Sequence, residues 1–224
     1  MMRTLLFCTS WCDSLPGWRE LYGRWLDYYA SGRGPIAFDH ALLIDDASPV
    51  LPDDRRVEII REGEWPESLP KIGLYRFSER LGRSAKFVYP GWWRSYFCSL
   101  AVARRYGFSK VVHIEHDAFV LSRRLADHIN ALNTDWTSLW CPRYICPETA
   151  IQVICEDHYH ELEAFRSDGI EALAGRAAEL ELPFSNIETQ WTGDRYGEYL
   201  QDIPADADYA CQVPAGVAVT FSRE

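Results

Sequence analysis

Residues 111–121 read VVHIEHDAFVL, and the fold turns on what the polar centre of that stretch does. A Val/Ile-rich run of this length reads as a buried strand, yet it ends on Glu115, His116 and Asp117. A strand closing in a plain polar turn gives this pattern. So does a strand whose carboxyl end presents a metal or phosphate site. The preceding segment sets the context. Between Trp92 and Tyr106, Trp93, Phe97 and Leu100 fall on one helical face, Arg104 and Arg105 suit the C-terminal end, and Gly107 supplies a stop. A helix feeding directly into a buried strand is a crossover of a mainly parallel sheet.

Working outward, RTLLFCTS (3–10) reads as a first buried strand. Pro16 then opens a helix in which Trp18, Leu21, Trp25 and Tyr29 recur at helical spacing. After the break SGRGP (31–35), IAFDHALLIDD (36–46) reads as a second strand ending in Asp45 and Asp46. Residues 49–90, punctuated by Pro49, Pro52, Pro66, Pro70 and Pro90, are expected to be loop-rich, with short strands in VEII and IGLYRF. LADHINAL predicts a helix, and WTSLWC and AIQVIC predict strands. EDHYHELEAF and IEALAGRAAELEL predict two helices, and YACQVPAGVAVTF two short strands about a Pro-Ala-Gly turn. Strand and helix alternate as in an α/β fold.

The bulk properties bound the function. The chain has 224 residues, enough for one domain with a substantial core. A net charge of -10 argues against a nucleic-acid backbone as partner. Seven cysteines at irregular spacing, without a CxxC pair, read as free thiols in a reducing compartment rather than a structural zinc site. The apolar start of the chain is too short and too soon broken by Thr, Ser and Asp for a signal peptide. No window approaches a membrane span. These features predict a cytoplasmic protein and leave peripheral membrane contact open.

Two acidic pairs end predicted strands: Asp45 with Asp46, and Glu115 with Asp117. In open α/β sheets ligands bind beyond the carboxyl ends of the strands, so two acid-tipped strands of one sheet point to one crevice. Glu115 and Asp117 stand at i, i+2, on one face of an extended strand. Mn²⁺ and Mg²⁺ bind through one or two carboxylates together with substrate phosphates. Taken singly, either pair is a turn, since Asp and Ser favour such places; taken together they are a candidate site. His113 is expected to be packed or hydrogen-bonded. An iron or zinc site from His113, Glu115 and His116 lacks ligand spacing elsewhere in the chain.

IDDAS (44–48) resembles the Val-Asp-Asp-Gly-Ser segment of GT-A-type glycosyltransferases, and HIEHDAFVL resembles the strand bearing their DxD or Glu-Asp-Asp metal motif. WWRSYFCSLAVARRYGFSK, leading into it, matches their order of elements. The resemblance covers roughly residues 4–155. It implies a single GT-A-like (Rossmann-like) domain with a mostly parallel central sheet flanked by helices. Residues of about 1–125 would bind the nucleotide sugar and about 126–224 would form the acceptor side. It implies nucleotide contacts from Thr9 and from Asp45 or Asp46. Asp117 would ligate Mn²⁺ or Mg²⁺ on the donor diphosphate, with Glu115 as partner. Glu at the first acid and His116 between the two depart from the pattern. Arg94 is expected to neutralise charge on the leaving diphosphate.

On the acceptor side, SNIETQWTGDRYGEYL (185–200) reads as a polar loop. An inverting sugar transfer needs a carboxylate to take the acceptor proton; Glu188 and Asp194 are the candidates, Glu188 first because Trp191 could hold a sugar beside it. A surface loop with one buried Trp reads equally well. Glu156 and Asp157 are helix-start acids, and the nine tryptophans are mostly core. The function expected is glycosyl transfer to a carbohydrate or glycolipid acceptor. A non-catalytic nucleotide- or sugar-binding protein of the same fold is the first rival. A nucleotidyltransferase is the second, though CTSWCDS after the first strand offers no glycine-rich phosphate cradle.

Overall fold

The computed structural model describes residues 2–32, 34–167 and 169–221. Its frame is an eight-stranded sheet built from β1 (Thr4–Ser10), β2 (His40–Asp45), β3 (Glu58–Arg61), β4 (Ile72–Arg76), β5 (Lys110–Ile114), β7 (Trp136–Cys141), β8 (Cys146–Cys155) and β9 (Asn186–Glu188). The order is β3-β4-β2-β1-β5-β8-β7-β9. β1 lies between β2 and β5, parallel to both. β8 is antiparallel to its neighbours β5 and β7, while the other adjacent pairs are parallel. The short β6 (Phe119–Val120), β10 (Gly193–Asp194) and β11 (Tyr209–Ala210) form a second, three-stranded sheet.

Alternation along the strands assigns each residue to a layer. Leu6, Cys8, Leu43, Val112 and Ile114 pack with Trp18, Trp25 and Tyr29 on one face of the sheet. Those aromatics come from a helical run made of α1 (Leu15–Trp18), a π-helical stretch (Arg19–Gly23) and α2 (Arg24–Tyr29), and α4 (Arg123–Ala131) covers the same face. Leu5, Phe7, Leu42, Ile44 and Val111 pack with Trp93, Phe97 and Leu100 of α3 (Pro90–Tyr106) and with Tyr159 and Leu162 of α5 (Tyr159–Arg166) on the other. With both faces covered, the inner strands have no water-facing side, which is why they read as continuous apolar runs. Pro90 opens α3 and Gly107, at φ 66°, ends it. The ammonium of Lys110, almost fully buried, donates to the carbonyls of Ile129, Asn130 and Leu132 at 2.9–3.1 Å and so closes the end of α4.

The structure departs from expectation in the C-terminal third. Residues 170–182 form no continuous helix: a 3-10 turn (Ile170–Leu173) is followed by Gly175 at φ 82° and then the four-residue α6 (Ala178–Glu181). Of the two strands expected in 209–221, only β11 forms among the described residues. Residues 185–200 are more than a loop, because β9 adds a parallel edge strand to the main sheet. All seven cysteines are free. No helix of the described residues is long and apolar enough to cross a membrane.

Candidate functional site

The carboxyl ends of β1 and β5 open into a cleft of about 520 Å³, within the usual size of a small-ligand site. Its floor is the turn after β5, where Ala118 N–H returns to the Glu115 carbonyl at 3.0 Å and leaves His116 and Asp117 at the bend. The first helical run pins this turn from below. Trp25 Nε1 donates to the Ile114 carbonyl at 3.1 Å. The Tyr29 hydroxyl donates to the Ala118 carbonyl at 2.9 Å and accepts from Val120 N–H at 3.1 Å. From the other side, Val213 N–H holds the Asp117 carbonyl at 3.0 Å.

Glu115 is the most constrained group of the site. Its carboxylate accepts from the Thr9 hydroxyl at 2.8 Å, from the Trp92 indole at 2.5 Å and from His113 Nε2 at 3.0 Å. Burial pushes its carboxyl up, but His113, His116 and the Trp92 hydrogen bond together hold it below its ordinary value. His113 is fully buried, with Nδ1 at 3.2 Å from the Thr149 carbonyl and Nε2 on Glu115. Both ring nitrogens thus lie against oxygens, the Thr149 carbonyl and the Glu115 carboxylate. This is the hydrogen-bonded histidine expected from the sequence.

Asp117 behaves differently. Its carboxyl accepts no side-chain hydrogen bond among the described residues, and burial, with Glu115 close by, pushes it up against the lowering effect of His116. Two interacting carboxylates, one fixed by three side chains and one held only by its own backbone N–H, are a charge arrangement that a divalent cation relieves. Ligating atoms of Cys8, Glu115 and His116 also lie within 4.8 Å of one another. Burial, then Glu115 and Asp117, push the Cys8 thiol well up, so it stays protonated. With the thiol protonated, the oxygens of Glu115 and the His116 imidazole are the donors of that group left for an ion. Asp117 is not part of the group but lines the same cleft, and carboxylate oxygens suit Mn²⁺ or Mg²⁺.

The second acidic pair is divided between two structural tasks. Asp45 is nearly fully buried and ties its own turn, accepting from Ser48 N–H at 2.8 Å and from the Ser48 hydroxyl, and it does not line the cleft. Asp46 does line it. Its oxygens take Gly82 N–H at 2.7 Å, Leu81 N–H at 3.2 Å and the Arg94 guanidinium. A Cβ on Gly91 would stand 2.1 Å from the Asp46 carboxylate, so only glycine allows this approach. Arg94 is thus engaged by Asp46 and stacked 3.9 Å over Phe77, and it too lies outside the lining. The Thr9 hydroxyl is given to Glu115, although Thr9 itself lines the cleft.

What Asp46 anchors is the segment that sequence reasoning passed over. RLGRSAK (80–86) carries exposed Arg80, Arg83 and Lys86 to the cleft, with Arg80 stacked 3.6 Å over Trp11. Three cations around a glycine and a serine were a legible signal, hidden inside a region read only as proline-broken. The opposite wall was missed as well. Glu148, fully buried, is gripped by Arg195 at 2.8 and 3.1 Å, and Arg195 also donates to Glu179 at 2.7 Å. Burial pushes the Glu148 carboxyl up despite that partner.

The two expected acceptor-side acids lie elsewhere. Glu188, on β9, accepts from His128 at 2.7 Å, from Asn186 at 3.2 Å and from Trp191 at 2.5 Å, beside a separate cavity of about 10 Å³. Trp191 is thereby a packed partner of Glu188 rather than an open platform. Asp194 accepts from Arg195 N–H at 2.8 Å and pairs with Arg143 at 3.7 Å, and it does not line the cleft.

No family model matches the chain, and no curated protein matches it by sequence. Among solved structures it is similar to a glycosyltransferase involved in the glycosylation of the major capsid of PBCV-1. That match has 9% identity and a TM-score of 0.47, and covers 96% of this chain and 94% of that one. It is also similar to a cytidylyltransferase from Leptospira borgpetersenii serovar Hardjo-bovis (strain JB197), at 14% identity and a TM-score of 0.47, over 84% of this chain and 76% of that one. Likeness at this level decides no activity.

Proposed function

We propose that the chain is a metal-dependent glycosyltransferase that takes a sugar from a nucleotide-diphosphate donor and passes it to a carbohydrate or glycolipid acceptor. One observation carries this reading: a single cleft sets carboxylates at the ends of parallel strands against a cationic rim. Glu115 and Asp117 stand on the floor, and Arg80, Arg83 and Lys86 line the same cleft. A diphosphate bridged by a divalent ion needs both. The carboxylates would hold the ion, and the cations would balance the phosphate charge that the ion leaves uncompensated.

In this reading Asp117 and His116 bind Mn²⁺ or Mg²⁺, and Glu115, locked by Thr9, His113 and Trp92, fixes the position of the site. The ion, when bound, neutralises charge growing on the leaving diphosphate. Arg80, Arg83 and Lys86 add to that stabilisation. The Arg80–Trp11 stack offers a flat wall to a nucleobase. Glu179 is the acceptor-side carboxylate: it lines the cleft, and among the described residues only its Oε1 is engaged, by Arg195. It orients the acceptor hydroxyl and, for an inverting transfer, takes its proton. Glu179→Gln should then cut turnover by roughly 10²–10⁴-fold while donor affinity holds.

Product analysis separates this reading from nucleotidyl transfer. A panel of nucleotide sugars with Mn²⁺ should yield nucleoside diphosphate from one donor, and a chelator should stop it. Pyrophosphate release from a nucleoside triphosphate and a sugar phosphate, with no diphosphate release from any donor, would overturn it.

A further inference from the structure

We propose that the Arg195 side of the cleft mouth is a lipid-docking surface, on which aliphatic tips insert into the interfacial layer of a bilayer. Leu200, Ile145 and Leu180, at 83%, 76% and 76% exposure, are the most exposed large apolar side chains among the described residues. They are far apart in sequence, yet Arg195 gathers their neighbours. Its guanidinium donates to Glu179, next to Leu180, and lies 5.3 Å over the ring of Tyr144, next to Ile145. The Tyr144 hydroxyl meets that of Tyr199, next to Leu200, at 3.3 Å.

Two of these tips are held at a cost. Ile145 and Leu200 both have φ 53°, a left-handed conformation that L-residues avoid and that is an outlier for a β-branched side chain. Neither side chain is buried, so no packing inside the chain offsets that strain. Strain of this kind is imposed by the surrounding backbone, as by the Leu200 N–H bond to the Gly197 carbonyl at 3.2 Å. It clusters at ligand clamps and switch regions, which motivates a contact for these tips.

The chemistry selects the occupant. Convex aliphatic tips flanked by tyrosine hydroxyls match the layering of a membrane interface, apolar groups beyond and amphipathic rings at headgroup level. They offer no hydrogen bonds to a saccharide. The cations beside them are committed, Arg143 to Asp194 and Arg195 to Glu148 and Glu179. The patch itself therefore offers anionic lipid no uncommitted cation among these two, and it fits a zwitterionic bilayer. Arg195 and Glu198 also line the cleft, so docking lays the cleft mouth against the bilayer. That the acceptor is then lipid-carried rests on the transferase reading; the docking does not.

The test is co-sedimentation of the full chain with phosphatidylcholine vesicles, comparing the parent with Ile145→Asn/Leu200→Asn. Asn accepts the left-handed conformation, so the double variant keeps or gains thermal stability. Its partition coefficient should fall by at least about tenfold, as expected when two aliphatic side chains stop being buried. Ile59→Asn, on the β3 edge of the sheet, should partition like the parent. Failure of the parent to sediment, or equal partition of parent and double variant, would overturn the proposal. So would binding confined to anionic vesicles and removed by salt, or a soluble dimer whose dissociation by the double variant shows that a second copy covers the patch. Loss of sugar transfer with docking retained would fall on the cleft and leave this proposal standing.

Discussion

Ala47 sits at φ 57° in the turn after β2, at the position where the Val-Asp-Asp-Gly-Ser pattern has glycine. The turn is imposed by Asp45, whose side chain holds Ser48 N–H, and Ala pays the steric cost of a left-handed backbone there. Ala47→Gly should raise the unfolding free energy by about 1 kcal/mol, read as a higher denaturant midpoint at unchanged slope. Asp208 gives a second test at this scale. Burial pushes its carboxyl up, but hydrogen bonds from Arg124, Ser122 and Thr192 N–H outweigh that and hold it below its ordinary value. The folded chain therefore binds fewer protons there than the unfolded one. The stabilisation is complete above the unfolded value of about 4 and is lost as pH falls through the lower folded value. Asp208→Asn should be less stable than the parent at pH 7, with the gap narrowing steadily below about pH 4.

At the scale of elements, the turn after β5 depends on the helical run beneath it. The Tyr29 hydroxyl joins the Ala118 carbonyl to Val120 N–H in a buried position. Tyr29→Phe removes the bridge and leaves both backbone groups without that partner. It should cost about 1–3 kcal/mol by chemical denaturation. If the proposed metal reading holds, it should also weaken Mn²⁺ binding, since the turn that carries Asp117 loses its support. Most of this architecture was legible. The helix 90–106, the three central parallel strands and the acids at their tips could be read because both faces of the sheet are covered, which turns strands into apolar runs and helices into periodic ones. The hydrogen bonds from Trp25 and Tyr29 to the chain at 114–120 could not, because aromatic spacing predicts a buried face and says nothing of where an indole N–H or a hydroxyl points. In 170–182 helical spacing was present, but Gly175 in a left-handed conformation cut it. The β9 strand was hidden because Asn186, Ile187 and Glu188 pair only along one edge.

Over the whole molecule, charge is distributed against its sum. A chain of net charge -10 carries Arg80, Arg83 and Lys86 to one cleft, and composition alone conceals that local reversal. The same distance between sequence and space keeps the two acids expected on the acceptor side out of the cleft lining. Glu188 and Asp194 stand in the expected segment, but their carboxylates face His128, Trp191 and the Arg195 backbone. The cleft instead receives Glu179 from a segment read as plain helix. Asp45 and Arg94 likewise serve the turn and the basic segment rather than touching the cleft.

The claim on which the account stands is that Asp117, which no side chain among the described residues holds on the cleft floor, binds a divalent ion that joins the nucleotide diphosphate to the chain. Calorimetric titration of a uridine or guanosine diphosphate, with and without Mn²⁺, into the parent and Asp117→Asn tests it directly. The account predicts binding by the parent that requires the metal, and at least about tenfold weaker binding by the variant, a loss of 1.4 kcal/mol or more, with its melting temperature unchanged. Equal affinity and equal metal dependence in the two proteins would contradict it.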